Sequence, residues 1–443
     1  MSLLDPMPVT PLDGPIEATV TVPGSKSITN RALVCAALAD GDSVLHHALD
    51  ADDVVAMRDG LSALGVAVEE AGPRDEVGDL TLRVRGCAGR PTADVAVVDA
   101  RLSGTTSRFL LPVAALTTGV VRVDGGLPLR ARPMGPSIEA LRQLGVTVTE
   151  AGSPGHLPVD VSDGPVAGGE LEVPGSSSSQ FLSGLLMAGP AMRTGLVVRV
   201  VGPLVSRPYV DMTVAVMERF GVSVGRPDGD TWVVEPQTYA ASELTIEPDA
   251  STASYAFAAA AIAGGRVTVE GLGTGSLQGD VAFVDVLESM GATVERHAER
   301  ITVAVDRPLR GVHVDMRHLS DTAQTLAVVA AFAEGPTRVT GIGFIRGKKT
   351  DRVAAVVTEL RRLGIDAEEE LDGFLVRPGP LRPAVVETYD DHRMAMAFAL
   401  AGLRAPGIRI ADPGCVAKTF PGFWAFLERL RAGGGATGRV ERS

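Results

Sequence analysis

The chain carries only three cysteines, Cys35, Cys87 and Cys415, an odd number spread too widely for a disulfide framework and without metal-ligand spacing. They point to a reducing compartment, read here as the cytoplasm. Aromatic residues are scarce as well, at 4% of 443 with two tryptophans and four tyrosines, which leaves little for stacking on bases. Positive charge is in deficit: 41 Lys and Arg against 54 Asp and Glu give a net charge of −13, which argues against a nucleic-acid surface. No run of ~18 apolar residues is free of charge, and the N-terminus lacks the charged-then-apolar order of a signal peptide, so neither a membrane span nor a leader is expected. The richest apolar stretch, 256–263, is too short to span. There is no cluster with metal-ligand spacing and no Ser/His/Asp order for a nucleophile, so no metal and no cofactor are expected.

What is present is 45% hydrophobic and 21% charged residues, the balance of a well-packed globule. Six stretches repeat one design: an apolar residue, a polar turn with Ser, Thr, Asp or Gly, then a segment rich in Ala and Leu. They follow Val22, Val98, Val173, Ile246, Val314 and Val386, at spacings of 76, 75, 73, 68 and 72 residues. A helix apolar on nearly every face belongs in a core, so each unit is expected to bury its shaft and present its start. A second marker keeps the same beat: Leu64-Gly65-Val66, Leu144-Gly145-Val146, Phe220-Gly221-Val222, Met290-Gly291-Ala292 and Leu363-Gly364-Ile365. In each, an amphipathic helix is expected to end at a left-handed glycine with a short strand after it. The unit reads as strand, buried helix, strands, outer helix, strand, which makes the fold class α/β (α+β). Length favours two domains. Six units divide into three and three, with one domain at 25–245 and a discontinuous one at 1–24 and 246–443. The strand at 16–22 has no helix before it and is expected to complete the sixth unit. Two chain crossings, near Gly24 and near Ser242, would permit hinge closure on a ligand.

The polar turns carry the chemistry. Ser25 and Ser27 are candidate N-caps, and Lys26 and Arg31 flank the same first turn, where free amides and the helix dipole favour an anion. Gly104 in Ser103–Arg108 allows close approach to backbone. Arg132 could hold a carboxylate or stand as a surface charge. Ser178, Ser179 and Gln180 run straight into an apolar helix, which favours a hydroxyl-lined pocket over a linker. Ser206, Arg207 and Tyr209 put three polar groups within four residues. Asp321 opens the fifth shaft, either as a base or as a simple cap. Lys348, Lys349 and Arg352, then His392 and Arg393, then Lys418 add cations and a titratable imidazole. This inventory suits transfer between two small phosphorylated or carboxylated substrates.

Read together, the stretches PGSKSITNRAL (23–33), SGTTSR (103–108), RPMG (132–135), SSQFL (178–182), LVSRPYVD (204–211), SDTAQT (320–325), KTDR (349–352), DDHRMAM (390–396) and AKTFPGFW (417–424) resemble the enolpyruvyl transferases, in the branch that uses shikimate 3-phosphate. The resemblance implies a two-domain inside-out barrel of six repeated strand–helix units, three per domain. It implies transfer of the enolpyruvyl group of phosphoenolpyruvate to the 5-hydroxyl of shikimate 3-phosphate, with release of phosphate, by a cytoplasmic monomer. Shikimate 3-phosphate would be held by Lys26, Ser27, Arg31, Ser178, Ser179, Gln180, Ser206, Asp321 and Lys348. Phosphoenolpyruvate would be held by Lys26, Gly104, Arg132, Gln180, Arg352, Arg393 and Lys418. The implied catalytic groups are Asp321, which takes the hydroxyl proton, with Lys349, Lys26 and His392.

The chain departs from that pattern at three places. Lys349 stands where the family has a glutamate that shuttles a proton, and Leu102 and Phe344 stand where asparagine is frequent. Lys349 raises an alternative: action on 3-phosphoshikimate or a related cyclohexene acid by elimination. A UDP-N-acetylglucosamine enolpyruvyl transferase is disfavoured, because residues 120–131 hold no cysteine. A non-catalytic sensor that closes on the same ligands is the remaining reading, and turnover separates it from the first.

Overall fold

A computed structural model describes residues 3–176, 178–348 and 350–433. Twelve helices of seven or more residues alternate along the described residues. They are α1 (Lys26–Leu38), α2 (Asp52–Ala63), α3 (Gly104–Ala114), α4 (Gly135–Gln143), α5 (Ser179–Ala188), α6 (Pro208–Arg219), α7 (Ala250–Ala263), α8 (Phe283–Ser289), α9 (Ala323–Ala330), α10 (Arg352–Arg362), α11 (His392–Ala399) and α12 (Phe423–Arg431). The odd-numbered helices are the shafts. In α3, α9 and α11 every residue is buried, and α1, α5 and α7 expose only residues at their ends. The even-numbered helices bury one face. Five shafts are capped by a short polar side chain: Ser25, Ser103, Ser178, Asp249 and Asp391 each accept an amide of the first turn. The fifth shaft, α9, instead follows a 3-10 turn, Ser320–Thr322, with no side-chain cap.

Gly65, Gly145, Gly221, Gly291 and Gly364 all have φ between +79° and +111°, so each ends its outer helix in the left-handed conformation expected of it. Strands follow four of them. After Gly221 only an isolated bridge forms, Gly225 to Val233.

The sheets repeat one topology. In the second unit Val95–Asp99 runs parallel to Val120–Asp124, which pairs antiparallel with Val159–Ser162, and that in turn with Thr147–Glu150. Shaft α3 is the crossover between the parallel pair, the role a buried helix takes in a βαβ unit. The observed unit is therefore strand, shaft, strand, outer helix, then two strands. One strand rather than several precedes the outer helix. The order recurs in three more four-stranded sheets, and two sheets have three strands.

The expectation for residues 16–22 is corrected here. Ile16–Val20 does not complete the sixth unit; it lies parallel to Gly265–Glu270 in the sheet of the fourth. The physical reason is that Glu243–Thr245, the strand leading into α7, pairs parallel with Asp42–Ala48 in the sheet of the first. Each crossing strand thus takes the place that the other leaves. The sixth sheet is Ala384–Val386 against Ile408–Ile410, with Met7–Pro8 on its far edge.

Contacts divide the chain into two compact units, Met1–Val22 with Pro248–Ser443, and Pro23–Glu247. In the first of these, Tyr255, Phe420, Phe423, Trp424 and Phe426 meet largely edge to face and form one aromatic cluster. No helix of the described residues is long and apolar enough to cross a membrane.

Candidate active site

In the unit Pro23–Glu247 the polar groups gather at the starts of α1, α3 and α5. Lys26, at the first position of α1, is half-buried and lies 3.2 Å from a buried carboxylate oxygen of Asp53. Arg31, one turn further in, is 2% exposed. Its guanidinium donates to Thr213 Oγ1 at 2.7 Å, to Ser183 Oγ at 3.4 Å, and to the carbonyls of Ser27 at 2.9 Å and Tyr209 at 3.0 Å. It stacks on Phe109 as well. Burial lowers its pKa to about 10, because the partners are neutral dipoles. Its acceptors are hydroxyls and backbone carbonyls, so an anion arriving there meets a positive charge held by neutral groups.

Arg108 crosses from α3 to α5, donating to Gln180 Oε1 at 2.7 Å and to the carbonyl of Pro133 at 3.1 Å, with Phe181 under its guanidinium. Burial, and then the neighbouring charge of Arg132, push its pKa well down. Gln180 completes the bridge by donating to Thr105 Oγ1 at 3.1 Å. Arg132 is half-buried against Gly104. A Cβ on Gly104 would lie 2.5 Å from its Nη1, so the glycine makes room for the guanidinium. Ser178 caps α5, Ser179 is buried beside it, and Ser206 is buried with a φ of +53° just ahead of α6. The two expected cap candidates of α1 differ: Ser25 accepts the amide of Ile28, whereas Ser27 lies inside the first turn.

In the other unit the arginines are paired with acids. Arg352, at the first position of α10, donates to both oxygens of Asp391, at 2.7 and 3.3 Å, and to Asp321 Oδ1 at 3.2 Å. Arg393 donates to the second oxygen of Asp321 at 2.6 Å. Asp321 therefore spans two guanidinium groups, with 21% of its side chain open. Burial acts to raise Asp391, but the Arg352 guanidinium overrides it and holds the carboxyl below its usual range. His392 is buried, its Nδ1 3.6 Å from Asp391. Lys348 and Lys418 are half-buried at the ends of 3-10 turns, Gly343–Gly347 and Pro413–Lys418. Lys349 lies outside the described residues. Among the described residues, no group of three or more His, Cys, Asp or Glu side chains could hold a metal ion.

The residues brought together thus fall into two sets. One unit assembles Lys26, Ser27, Arg31, Gly104, Arg132, Ser178, Ser179, Gln180 and Ser206. The other assembles Asp321, Arg352, His392 and Arg393, with Lys348 and Lys418 on its turns. Sequence reasoning missed Asp53, Ser183, Thr213, Ser251 and Glu359. A usable signal existed for Ser251. The residue two after the cap is polar in all five capped shafts: Ser27, Thr105, Gln180, Ser251 and Arg393.

Comparison with known proteins decides the family. A match to EPSP synthase (3-phosphoshikimate 1-carboxyvinyltransferase) runs over residues 12–427. The chain belongs to the EPSP synthase family. It is similar to the 3-phosphoshikimate 1-carboxyvinyltransferase of Nostoc punctiforme, 44% identical over 429 residues, covering 96% of this chain and 100% of that one. It is also similar to that of Laribacter hongkongensis, 43% identical over 439 residues and covering 98% and 100%. The structure of EPSP synthase from Acinetobacter baumannii matches with a TM-score of 0.81 at 26% identity, covering 96% of this chain and 97% of that one. The mixed α/β fold of repeated strand–helix units expected for the EPSP synthase family is borne out.

Proposed function

We propose that this protein transfers the enolpyruvyl group of phosphoenolpyruvate to the 5-hydroxyl of shikimate 3-phosphate and releases phosphate, a step towards aromatic amino acids. The observation that carries the chemistry is the Asp321 carboxylate held between Arg352 and Arg393. A carboxylate fixed in place in this way can act as general base towards a substrate hydroxyl that reaches it. The same guanidiniums offer forks to the carboxylate and phosphate of phosphoenolpyruvate.

In this reading Asp321 takes the proton of the 5-hydroxyl as its oxygen bonds to C2 of phosphoenolpyruvate. The methylene carbon gains a proton, which gives a tetrahedral adduct. Loss of a proton from that methyl and cleavage of the C2–O bond to phosphate leave the enol ether. Lys26, Arg132, Arg352, Arg393 and Lys418 stabilise charge on the departing phosphate. Lys26 and Lys349 are the proposed proton carriers at the methylene, and His392 a proposed relay. Ser27, Arg31, Ser178, Ser179, Gln180, Ser206 and Lys348 hold shikimate 3-phosphate, while Gly104 and Gln180 border phosphoenolpyruvate. The two compact units are proposed as the two three-repeat domains, and the protein as a cytoplasmic monomer.

The relatives are named for carboxyvinyl transfer, which leaves the elimination alternative without support. The test mixes purified protein with both substrates and follows phosphate release together with product mass. Phosphate release matched by a product heavier by one enolpyruvyl group is expected. No release, or release without phosphoenolpyruvate, would refute the reading. Light scattering at 45.9 kDa checks the monomer.

A further inference from the structure

The backbone that leads into Asp391 is strained. Tyr389 and Asp390 both have φ of +55°, a region that a bulky side chain enters only when its surroundings hold it there. Asp391 comes next, capping α11 and gripping Arg352, and Arg393 follows two residues later. The aim of both groups depends on that turn.

Glu359, in the third turn of α10, holds it. Glu359 is the only glutamate in the buried class among the described residues, with 0% exposure. Its Oε1 accepts the Tyr389 hydroxyl at 2.7 Å. Its Oε2 accepts the Glu387 amide at 3.0 Å and the Arg362 guanidinium at 3.0 Å. A buried carboxylate is costly unless it is well bonded, and two of these bonds go to the segment that carries the strain. Tyr389 is 39% exposed, so the hydroxyl bond locates it more than core packing does. Helix α10 therefore supplies the guanidinium that Asp391 grips and, seven residues on, the carboxylate that fixes the approach to Asp391.

We propose that Glu359 is a positioning residue: by holding Glu387 and Tyr389 it aims Asp391 and Arg393, and so sets the affinity of the paired arginines for the anionic substrate. This rests on the reading that Arg352 and Arg393 take phosphoenolpyruvate. The experiment varies each substrate in steady state and measures phosphoenolpyruvate binding by calorimetry with shikimate 3-phosphate present. Glu359→Ala is expected to raise the KM for phosphoenolpyruvate roughly tenfold while changing that for shikimate 3-phosphate less than about twofold. Loss of folded protein alone would lower the apparent kcat and leave both KM values in place. Tyr389→Phe keeps the Glu387 bond and should give a smaller rise, about threefold, on phosphoenolpyruvate only. Glu359→Gln keeps an acceptor for Tyr389 and should fall between the two. If Glu359→Ala does not fold, the two conservative variants decide. Unchanged phosphoenolpyruvate constants in both, or equal rises for the two substrates, would overturn the proposal. A wild type without turnover refutes the functional reading separately. The calorimetric constants then still judge Glu359, and absence of phosphoenolpyruvate binding by the wild type overturns both.

Discussion

Removing Arg352 strands the fully buried carboxylate of Asp391, whereas Asp321 keeps Arg393. Breaking such a pair from one side typically costs ~3–5 kcal/mol, so Arg352→Ala should lose stability on that scale in urea. A loss near zero would mean that water reaches Asp391. Two aspartates then respond to pH in opposite directions. Asp391 is held below its usual range, so its stabilisation is complete above an unfolded value of ~3.9 and is lost as pH falls through the folded value. Asp79 is the reverse case. Burial pushes its carboxyl up to about 7, although it accepts the Gly24 amide at 2.5 Å. The folded state favours its neutral form, so stability is fully present at low pH and declines as pH rises from ~4 through about 7. Asp79→Asn keeps an acceptor for Gly24 and removes the charge. At pH 8 it should be more stable than wild type by at most ~4 kcal/mol, with little difference at pH 4. Equal urea midpoint shifts at both pH values would contradict this. None of these pairings is legible from sequence: Arg352 and Asp391 are 39 residues apart, and Glu359 reads as an ordinary charge on an outer helix.

At the scale of elements, the starts of the shafts are where small residues matter. Gly104→Ala places a methyl 2.5 Å from Arg132 Nη1. Alanine favours a helix by roughly 0.5–1 kcal/mol over glycine, so thermal stability should hold or rise slightly. The KM for phosphoenolpyruvate should nevertheless climb several-fold as Arg132 is displaced, and kinetics paired with a melting curve would separate the two effects. Gly184→Ala differs in kind, because its Cβ would meet the Arg108 carbonyl at 2.4 Å where α5 crosses α3. Overpacking of that sort should cost about 1–3 kcal/mol, read from the denaturant midpoint. The shafts, their caps and the glycine stops were legible because each is a local, repeated pattern. Asp249 and Asp391 cap as Ser25 does, from chemistry alone. The 3-10 opening of α9 was not, since Ser320-Asp321-Thr322 offers three plausible caps and uses none of them.

For the molecule as a whole, shikimate 3-phosphate alone should slow amide exchange at the starts of α1 and α5 and leave the exposed outer helices unchanged. Hydrogen-exchange mass spectrometry checks this, and protection confined to sheet exteriors would contradict the proposed contacts. The six repeated units could be counted from spacing. The partner of Ile16–Val20 could not, because strand pairing is decided by which parallel neighbour is left open. That pairing also dictates an order of events during synthesis. Pro23–Glu247 is one unbroken stretch and can complete itself as the nascent chain leaves the ribosome. Ile16 must wait for Gly265, translated 249 residues later, an interval of roughly 10–50 s at ~5–20 residues per second. Through that interval a strand with one apolar face and open edges stands upstream of a finished half, which makes it the segment where a chaperone or a mispairing neighbour would act first.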